Sequence, residues 1–262
     1  MNAFSSALYT ESLKALRSKV PLITTLGFLI VPLVGGLFMV ILKDPEAAKS
    51  MGLISTKAQL AVGTADWPTF FNFLAQGVAV GGAIMFAIIT TWVFGREFSD
   101  RTIKELLSLP TSREAIVGAK FTVVSLWTLT LTLLSFAVCI LVGNAVVIPG
   151  WSVELFHSAA IDIVGAGIMT IMLLPFVAFA ASIGRGFIPA FGWTIFTVFI
   201  AQISVIMGWG GLLPWAIPAL FSGAAGPKAE FLGPASYAIL FLASGIGLFI
   251  TFYWWRNADQ TK

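Results

Sequence analysis

The residues best suited to chemistry lie in one charged stretch, 95–120, between long apolar segments. Nine of its 26 residues are Asp, Glu, Lys or Arg, although charged residues make up only 10% of the chain. Three opposite-sign pairs stand four residues apart: Glu97 with Arg101, Asp100 with Lys104, and Arg101 with Glu105. This spacing predicts ion pairs along a helix surface, each worth about 0.3–0.5 kcal/mol. The stretch is either a surface on which a charged partner docks or a solvated loop helix.

Two signals divide this stretch into elements. Pro110 follows Leu106, Leu107 and Leu109 and is expected to end the first helix, because proline cannot continue the hydrogen-bonding pattern. The segment Thr111-Ser112-Arg113-Glu114 has the S/T-x-x-E form of a capping box. We therefore expect a helix, a stop at proline, and a second helix that begins with this box and runs into the membrane.

The rest of the sequence offers little catalytic chemistry. Cys139 and His157 are the only residues of their types, which excludes a disulfide within the chain and argues against a Cys- or His-based metal site. No P-loop, G-x-S-x-G, H-E-x-x-H or C-x-x-C motif occurs. Asp162 is the one acid inside a predicted span, and we expect it at the interface rather than in a polar interior. We therefore predict no enzyme, no bound cofactor or metal, and no nucleic-acid partner.

Composition indicates the class of protein that holds these charges. With 58% apolar residues and a mean hydropathy of +0.95, the chain is expected to be an all-α integral membrane protein with one transmembrane domain over 1–262. About 20 helical residues cross a bilayer. Six runs are long enough: Val20 to Leu42, Phe70 to Phe94, Phe121 to Ile148, Ser158 to Ile183, Pro189 to Met207 and Pro234 to Trp255.

Lysine and arginine set the expected orientation, since these residues concentrate in cytoplasmic flanks. With both termini cytoplasmic, 11 of the 15 basic residues fall inside, and so does the charged stretch. Lys43, Lys49, Lys57 and Lys228 remain outside.

The leader, 1–19, is a candidate helix of its own. Phe4, Leu8, Tyr9, Leu13, Ala15 and Leu16 project onto one half, and Thr10, Lys14 and Arg17 onto the other. It is predicted either to lie along the inner membrane surface or to be an ordinary flank whose cations set the topology.

Two features of the spans point to packing. Gly77 and Gly81 form a small-xxx-small pattern, which predicts close helix packing and a candidate contact with a second subunit. Between spans five and six, the apolar segment 209–233 is broken by Pro214 and Pro218 and is too short to cross. We expect it to dip into the outer leaflet as a re-entrant hairpin, or to pack over the bundle as a loop, with Trp209 and Trp215 at the interface.

Together, the charged stretch and this hairpin resemble a known family. Glu97, then Thr102 to Arg113, then Lys120 follow the pattern E…T-x-x-x-LL-x-x-P-x-S-R…K of the membrane subunits of ABC exporters for drugs, lantibiotics and sodium. The segment 212–218 is similar to the outer hairpin of the bacitracin and lantibiotic-immunity branch. Arg101 departs from the pattern, because the family usually has a small or polar residue there.

The resemblance implies a permease subunit in a bacterial cell membrane. It would pair with a second permease copy or a related permease and bind separate ATPase subunits, which would hold ATP and Mg²⁺. The stretch 95–120 would act as a coupling segment, and ATP-driven closure would move span two relative to span five. The implied interface residues are Glu97, Asp100, Arg101, Thr102, Lys104, Glu105, Leu106, Pro110 and Arg113.

The substrate that the resemblance implies is amphipathic or lipid-like, with a leaning toward peptide antibiotics. The alternative is a stand-alone membrane protein, either a secondary transporter or a structural or regulatory protein. A secondary transporter usually shows internal repeats and charges at mid-membrane, and neither is evident in the sequence.

Overall fold

Six helices long and apolar enough to cross a membrane form the body of the computed structural model, which describes residues 2–44, 64–108, 110–224 and 232–257. The sequence-predicted count of six spans is confirmed. Spans one to six are Val20–Lys43, Trp67–Ser99, Arg113–Val146, Val153–Ile183, Phe187–Ile206 and Pro234–Asn257. Spans two and three are longer than predicted, because the apolar helices continue without a break into charged sequence.

Two of the spans contain local irregularities. Span two consists of helix Trp67–Gln76, a π-helical turn at Gly77–Gly81, and helix Gly82–Ser99. Span four breaks at Met172 and Leu173, between helices Val153–Ile171 and Leu174–Ile183. Pro175 lies in the first turn of the second helix and lacks the N–H that a continuous helix needs, which accounts for the break.

Spans two and four are the most buried and form the centre of the bundle. Span three packs against spans one, two, four and six, and span five packs against spans two and four. Large aromatic side chains fill the core, including Trp67, Phe70, Phe86, Phe94 and Trp255. The outer faces of spans one, five and six carry exposed Leu, Ile and Phe side chains, as expected for helices that face lipid.

The leader is a helix, Ala3–Leu16, that packs along span three. The predicted helix is present, and its place along the inner membrane surface stays a prediction. Tyr9 and Leu16 are exposed, and Phe4 is partly exposed beside Gly118 of span three, whereas the buried face consists of Ala7, Glu11 and Ala15. Ala7 and Ala15 lie one turn to either side of Glu11, and their small side chains let the leader approach span three closely, so this packing takes Glu11 inside.

The segment after span five folds into short helical pieces: Gly210–Leu212, Pro214–Ala216 and Ile217–Phe221. The prolines set these boundaries as predicted. Ala216, Ile217 and Leu220 are buried. The last part of the predicted hairpin, 225–231, lies outside the described residues.

This hairpin enters the bundle rather than resting over it. The ring of Trp215 lies 5.3 Å from that of Phe176 in span four and 5.7 Å from that of Trp193 in span five. Trp193 is thirteen residues, or about 20 Å along the helix axis, from the end of span five at Ile206. Trp215 thus lies well inside the bundle, and a re-entrant course through the outer leaflet stays a prediction.

Candidate functional site

Four charged side chains meet where the leader crosses spans two and three. We call Glu11, Lys14, Glu97 and Lys120 the charge quartet. The Lys120 ammonium lies 3.0 Å from Glu11 Oε2 and 2.8 Å from Glu97 Oε1. Lys14 lies 2.6 Å from Glu11 Oε1 and 3.0 Å from Glu97 Oε1. Two cations therefore bridge two carboxylates, and the formal charge of the quartet is zero.

Each of the three helices places its charged residue on a buried face, one turn from buried neighbours. Glu11 lies one turn from both Ala7 and Ala15 on the buried face of the leader. Glu97 follows Val93 by one turn, on the face of span two that packs inward. Lys120 is on the same buried face of span three as Ile116 and Val117. The quartet thus forms only when all three helices are packed together.

The buried members of the quartet must find their hydrogen-bond partners within the protein. Lys120 is fully buried, and its third donor bond goes to the Val93 carbonyl oxygen at 2.7 Å. An ammonium has three N–H donors, so Lys120 is satisfied. Glu97 Oε2 is buried and lacks a hydrogen-bond partner among the described residues. Because a buried charge without its partner is costly, removing one member is expected to destabilise the junction strongly.

The helix of span two ends just past Glu97. Arg101 adopts the left-handed conformation with φ 60°, and its N–H donates to the Phe98 carbonyl oxygen at 3.2 Å. The Thr102 N–H donates to the Glu97 carbonyl oxygen at 2.9 Å. These two bonds form a Schellman motif, a common helix stop in which the left-handed residue is usually glycine. Glu97 therefore holds the junction through its side chain and ends span two through its backbone.

The predicted continuous helix from Glu97 to Leu109 is therefore wrong. The chain turns at Asp100–Thr102 and restarts as the short helix Ile103–Ser108; Leu109 lies outside the described residues. Glu97 faces Lys14 and Lys120 instead of Arg101. Asp100 pairs with Arg96 at 3.3 Å. A sequence pattern of four-residue spacings does not reveal that packing turns one of the charges inward.

The short helix Ile103–Ser108 presents most of the predicted interface residues to the outside. Ile103 is buried against the bundle and Leu106 is half-buried, whereas Lys104 and Glu105 are exposed. Arg101 and Pro110 are exposed as well. An open groove of about 380 Å³ runs between this helix, the leader and the end of span two. Its lining includes Thr10, Lys14, Asp100, Thr102, Glu105 and Leu106.

The start of span three differs from the predicted capping box. Ser112, not Thr111, is the N-cap, and its hydroxyl oxygen accepts a hydrogen bond from the Ala115 N–H at 3.3 Å. Arg113 donates to the backbone carbonyl oxygens of Trp255 at 3.2 Å and Arg256 at 3.4 Å. It therefore ties span three to the end of span six, and the place in the partner interface that the resemblance implied for it stays a prediction.

The structure assigns the two candidate glycines differently. Gly77 packs against Val31 of span one, so its closeness serves packing inside the chain. A Cβ atom added at Gly81 would have no neighbouring atom within 4 Å among the described residues. A contact with a second subunit at Gly81 stays a prediction.

At the hairpin, Trp215 and the buried Pro218 line a small cavity with Thr194 and Thr197 of span five. Its volume of about 40 Å³ suits a water molecule or two and is far too small for an amphipathic substrate.

Sequence reasoning missed Glu11 altogether and treated Lys14 as a surface cation. One signal was available: an acid at the centre of an Ala-x-x-x-Glu-x-x-x-Ala stripe, Ala7 to Ala15. Elsewhere in the described ranges, no group of three His, Cys, Asp or Glu side chains could hold a metal ion.

The sequence of this chain is similar to those of known proteins. Residues 7–201 match the model of a family described as ABC-2 family transporter protein, and this range contains the whole charge quartet and the short helix Ile103–Ser108. The bacitracin transport permease protein BCRB of Bacillus licheniformis is 24% identical over 189 residues, covering 69% of this chain and 89% of that protein. The family match spans most of the chain, and six apolar helices cross the membrane. The chain is therefore a multi-pass cell-membrane protein, the transmembrane subunit of an ABC transporter, and belongs to the ABC-2 family.

Proposed function

We propose that this permease exports its substrate with energy from separate ATPase subunits, and that helix Ile103–Ser108 is where the ATPase docks. The observation that carries the proposal is the charge quartet. It joins the leader, span two and span three directly behind this helix, so a push on the helix reaches three elements at once. ATP and Mg²⁺ would be held by the partner.

The exposed residues of the coupling segment are the docking candidates. Asp100, Arg101, Lys104 and Glu105 are exposed, and Thr102 and Leu106 line the adjoining groove. The mixed signs suit a partner with complementary charges, which steer association and fix its register. Glu97 is buried, so in this proposal it transmits motion and does not touch the ATPase.

The test is copurification of a P-loop ATPase with the tagged chain from its native membrane. Glu105→Lys reverses an exposed charge on the short helix and is expected to lose the ATPase. Glu154→Lys makes the same change on an exposed acid at the far end of the bundle and is expected to retain it. Equal ATPase recovery with both variants, or no ATPase with the unaltered chain, would refute the docking assignment.

The substrate class proposed is amphipathic, with a peptide antibiotic as the leading case. Support comes from the name of the BCRB relative and from the apolar outer faces, since the cavity lined by Trp215 and Pro218 is too small for such a substrate. A path along an outer face is completed by a second permease copy, so we propose a dimer. Expressing the chain with its ATPase should raise bacitracin resistance and leave resistance to a small hydrophilic antibiotic unchanged. No change for bacitracin would remove this substrate assignment and leave the ATPase docking intact.

A further inference from the structure

An apolar groove opens between spans one, two and five, near the end of the bundle where the leader lies. Val20 and Ile23 of span one, Ile88 and Trp92 of span two, and Phe187 and Phe191 of span five line it. Its volume is about 250 Å³. The groove opens on the outside of the chain, where Ile23 is 62% exposed.

A rim of cations continues this groove at its charged end. The adjoining open depression is lined by Lys14, Arg17 and Arg96, and reaches Ser18, two residues before Val20. The Arg96 guanidinium lies 5.1 Å from the centre of the Trp92 ring. One aromatic side chain therefore joins the apolar groove to its basic rim.

The rim carries excess positive charge. Lys14 is balanced within the charge quartet, and Arg96 pairs with Asp100 at 3.3 Å. Arg17 is exposed and has no ion pair with any residue that the structure describes. Lys19 is exposed beside it. Arg17 thus stays uncompensated in the depression beside the apolar groove, and Lys19 directly precedes the groove residue Val20.

We propose that this groove binds an acidic phospholipid. Its phosphate would lie between Arg17 and Arg96, because guanidinium groups match phosphate oxygens in geometry and charge. One acyl chain would fill the groove beside Trp92, whose ring suits the boundary between headgroups and hydrocarbon. The site adjoins the charge quartet, so the lipid would brace the leader against spans one, two and five.

The experiment uses the full chain in phosphatidylcholine vesicles that contain brominated phosphatidylglycerol or, in a parallel set, brominated phosphatidylcholine at the same mole fraction. Bromine quenches nearby tryptophan fluorescence. The chain has nine tryptophans, so the Trp92 contribution is taken as the difference between the unaltered chain and Trp92→Phe. We expect Trp92 to be quenched more by the acidic lipid than by the zwitterionic one.

Arg17→Gln should weaken the preference for the acidic lipid by about fivefold, as expected for the loss of one cation near an anionic headgroup. Arg256→Gln is the matched control: its side chain is 73% exposed at the same end of the bundle and should keep the preference. Equal quenching of Trp92 by both lipids, or a preference unaltered by Arg17→Gln, would overturn the proposal. Insensitivity of Trp92 to either lipid would also overturn it and would indicate that a second copy of the chain covers the groove.

Discussion

At the residue scale, the charge quartet joins elements that are far apart in sequence. Lys120 and Glu11 are 109 residues apart, and Lys14 and Glu97 are 83 apart. A buried ion pair adds little net stability compared with well-packed apolar residues, because desolvation offsets the attraction. In this protein the ion pairs instead specify how the helices are placed, since only one arrangement of the three helices satisfies all four charges.

Replacing Glu11 tests this view. Glu11→Ala leaves Lys120 with one carboxylate instead of two and is expected to destabilise the protein by about 3–5 kcal/mol. Glu105→Ala removes an exposed acid and should cost less than about 0.5 kcal/mol. Unfolding in detergent measures both variants.

The double variant Glu11→Ala with Lys120→Met separates the interaction from simple loss of packing. If the two residues are coupled, the double variant loses clearly less stability than the sum of the single variants. Strict additivity would mean that the contact contributes nothing of its own.

At the element scale, three helices, which include spans two and three, end on residues that seldom adopt the left-handed conformation: Arg101, Val147 and Arg185. Arg101 has φ 60° at the end of span two, and Val147 has φ 55° at the end of span three. Both ends form Schellman-type bonds, in which the left-handed residue pays a steric penalty that glycine avoids. A side chain retained at such a position costs about 1 kcal/mol.

Arg101→Gly and Val147→Gly should therefore each raise stability, by up to about 1 kcal/mol, when measured by thermal unfolding in detergent. Their effects on function should differ. Arg101→Gly removes an exposed cation of the coupling segment and is expected to reduce ATPase copurification, whereas Val147→Gly at the far end should not. Loss of stability in both variants would contradict the conformational argument.

Span two begins with a charge-dependent cap. Asp66 accepts a hydrogen bond from the Thr69 N–H at 2.9 Å and another from the Thr64 hydroxyl. Partial burial raises the pKa of Asp66, but these hydrogen bonds outweigh it and hold the pKa below its usual value of 3.8. A lowered folded-state pKa adds stability above the unfolded-state pKa, and this stability is lost as pH falls through the folded-state pKa.

Asp66→Ala should lower stability by about 1 kcal/mol near neutral pH, as for other N-caps. Asp66→Asn keeps a capping oxygen without the charge and should cost less. The difference in stability between the unaltered chain and Asp66→Asn should become smaller below about pH 4, where the Asp66 carboxylate takes up a proton. Thermal unfolding at several pH values measures the difference, and a difference independent of pH would argue against the charge contribution.

At the scale of the whole molecule, the chain has a charged end and an apolar hairpin end. The excess of Lys and Arg predicts that the charged end is cytoplasmic. Leu212 is 62% exposed at the hairpin, whereas Ile217 is fully buried five residues later. Ser108 is exposed at the end of the short coupling helix.

Single cysteines at these positions report both sidedness and depth, because the natural Cys139 is buried. In intact cells, a membrane-impermeant maleimide should label Leu212→Cys and leave Ser108→Cys unlabelled until the membrane is opened. Ile217→Cys should resist labelling in both conditions. Labelling of Ser108→Cys in intact cells would reverse the orientation, and labelling of Ile217→Cys would place the hairpin outside the bundle.

The six spans, the short pieces of the hairpin and the family can all be inferred from the sequence alone. The physical reason is local: runs of about 20 apolar residues are stable as helices only across lipid, and Pro214 and Pro218 interrupt any longer helix. The end of span two could not be predicted, because no glycine marks the left-handed turn at Arg101.

Which charges face inward cannot be inferred from the sequence and depends on how the helices pack. The spacing of Glu97 and Arg101 fits a surface pair equally well, and nothing near Glu97 in sequence indicates Glu11 or Lys14 as neighbours. The choice depends on how the leader packs against span three through Ala7 and Ala15. That packing is a long-range property, because the free energy of burying a charge depends on partners that other helices supply.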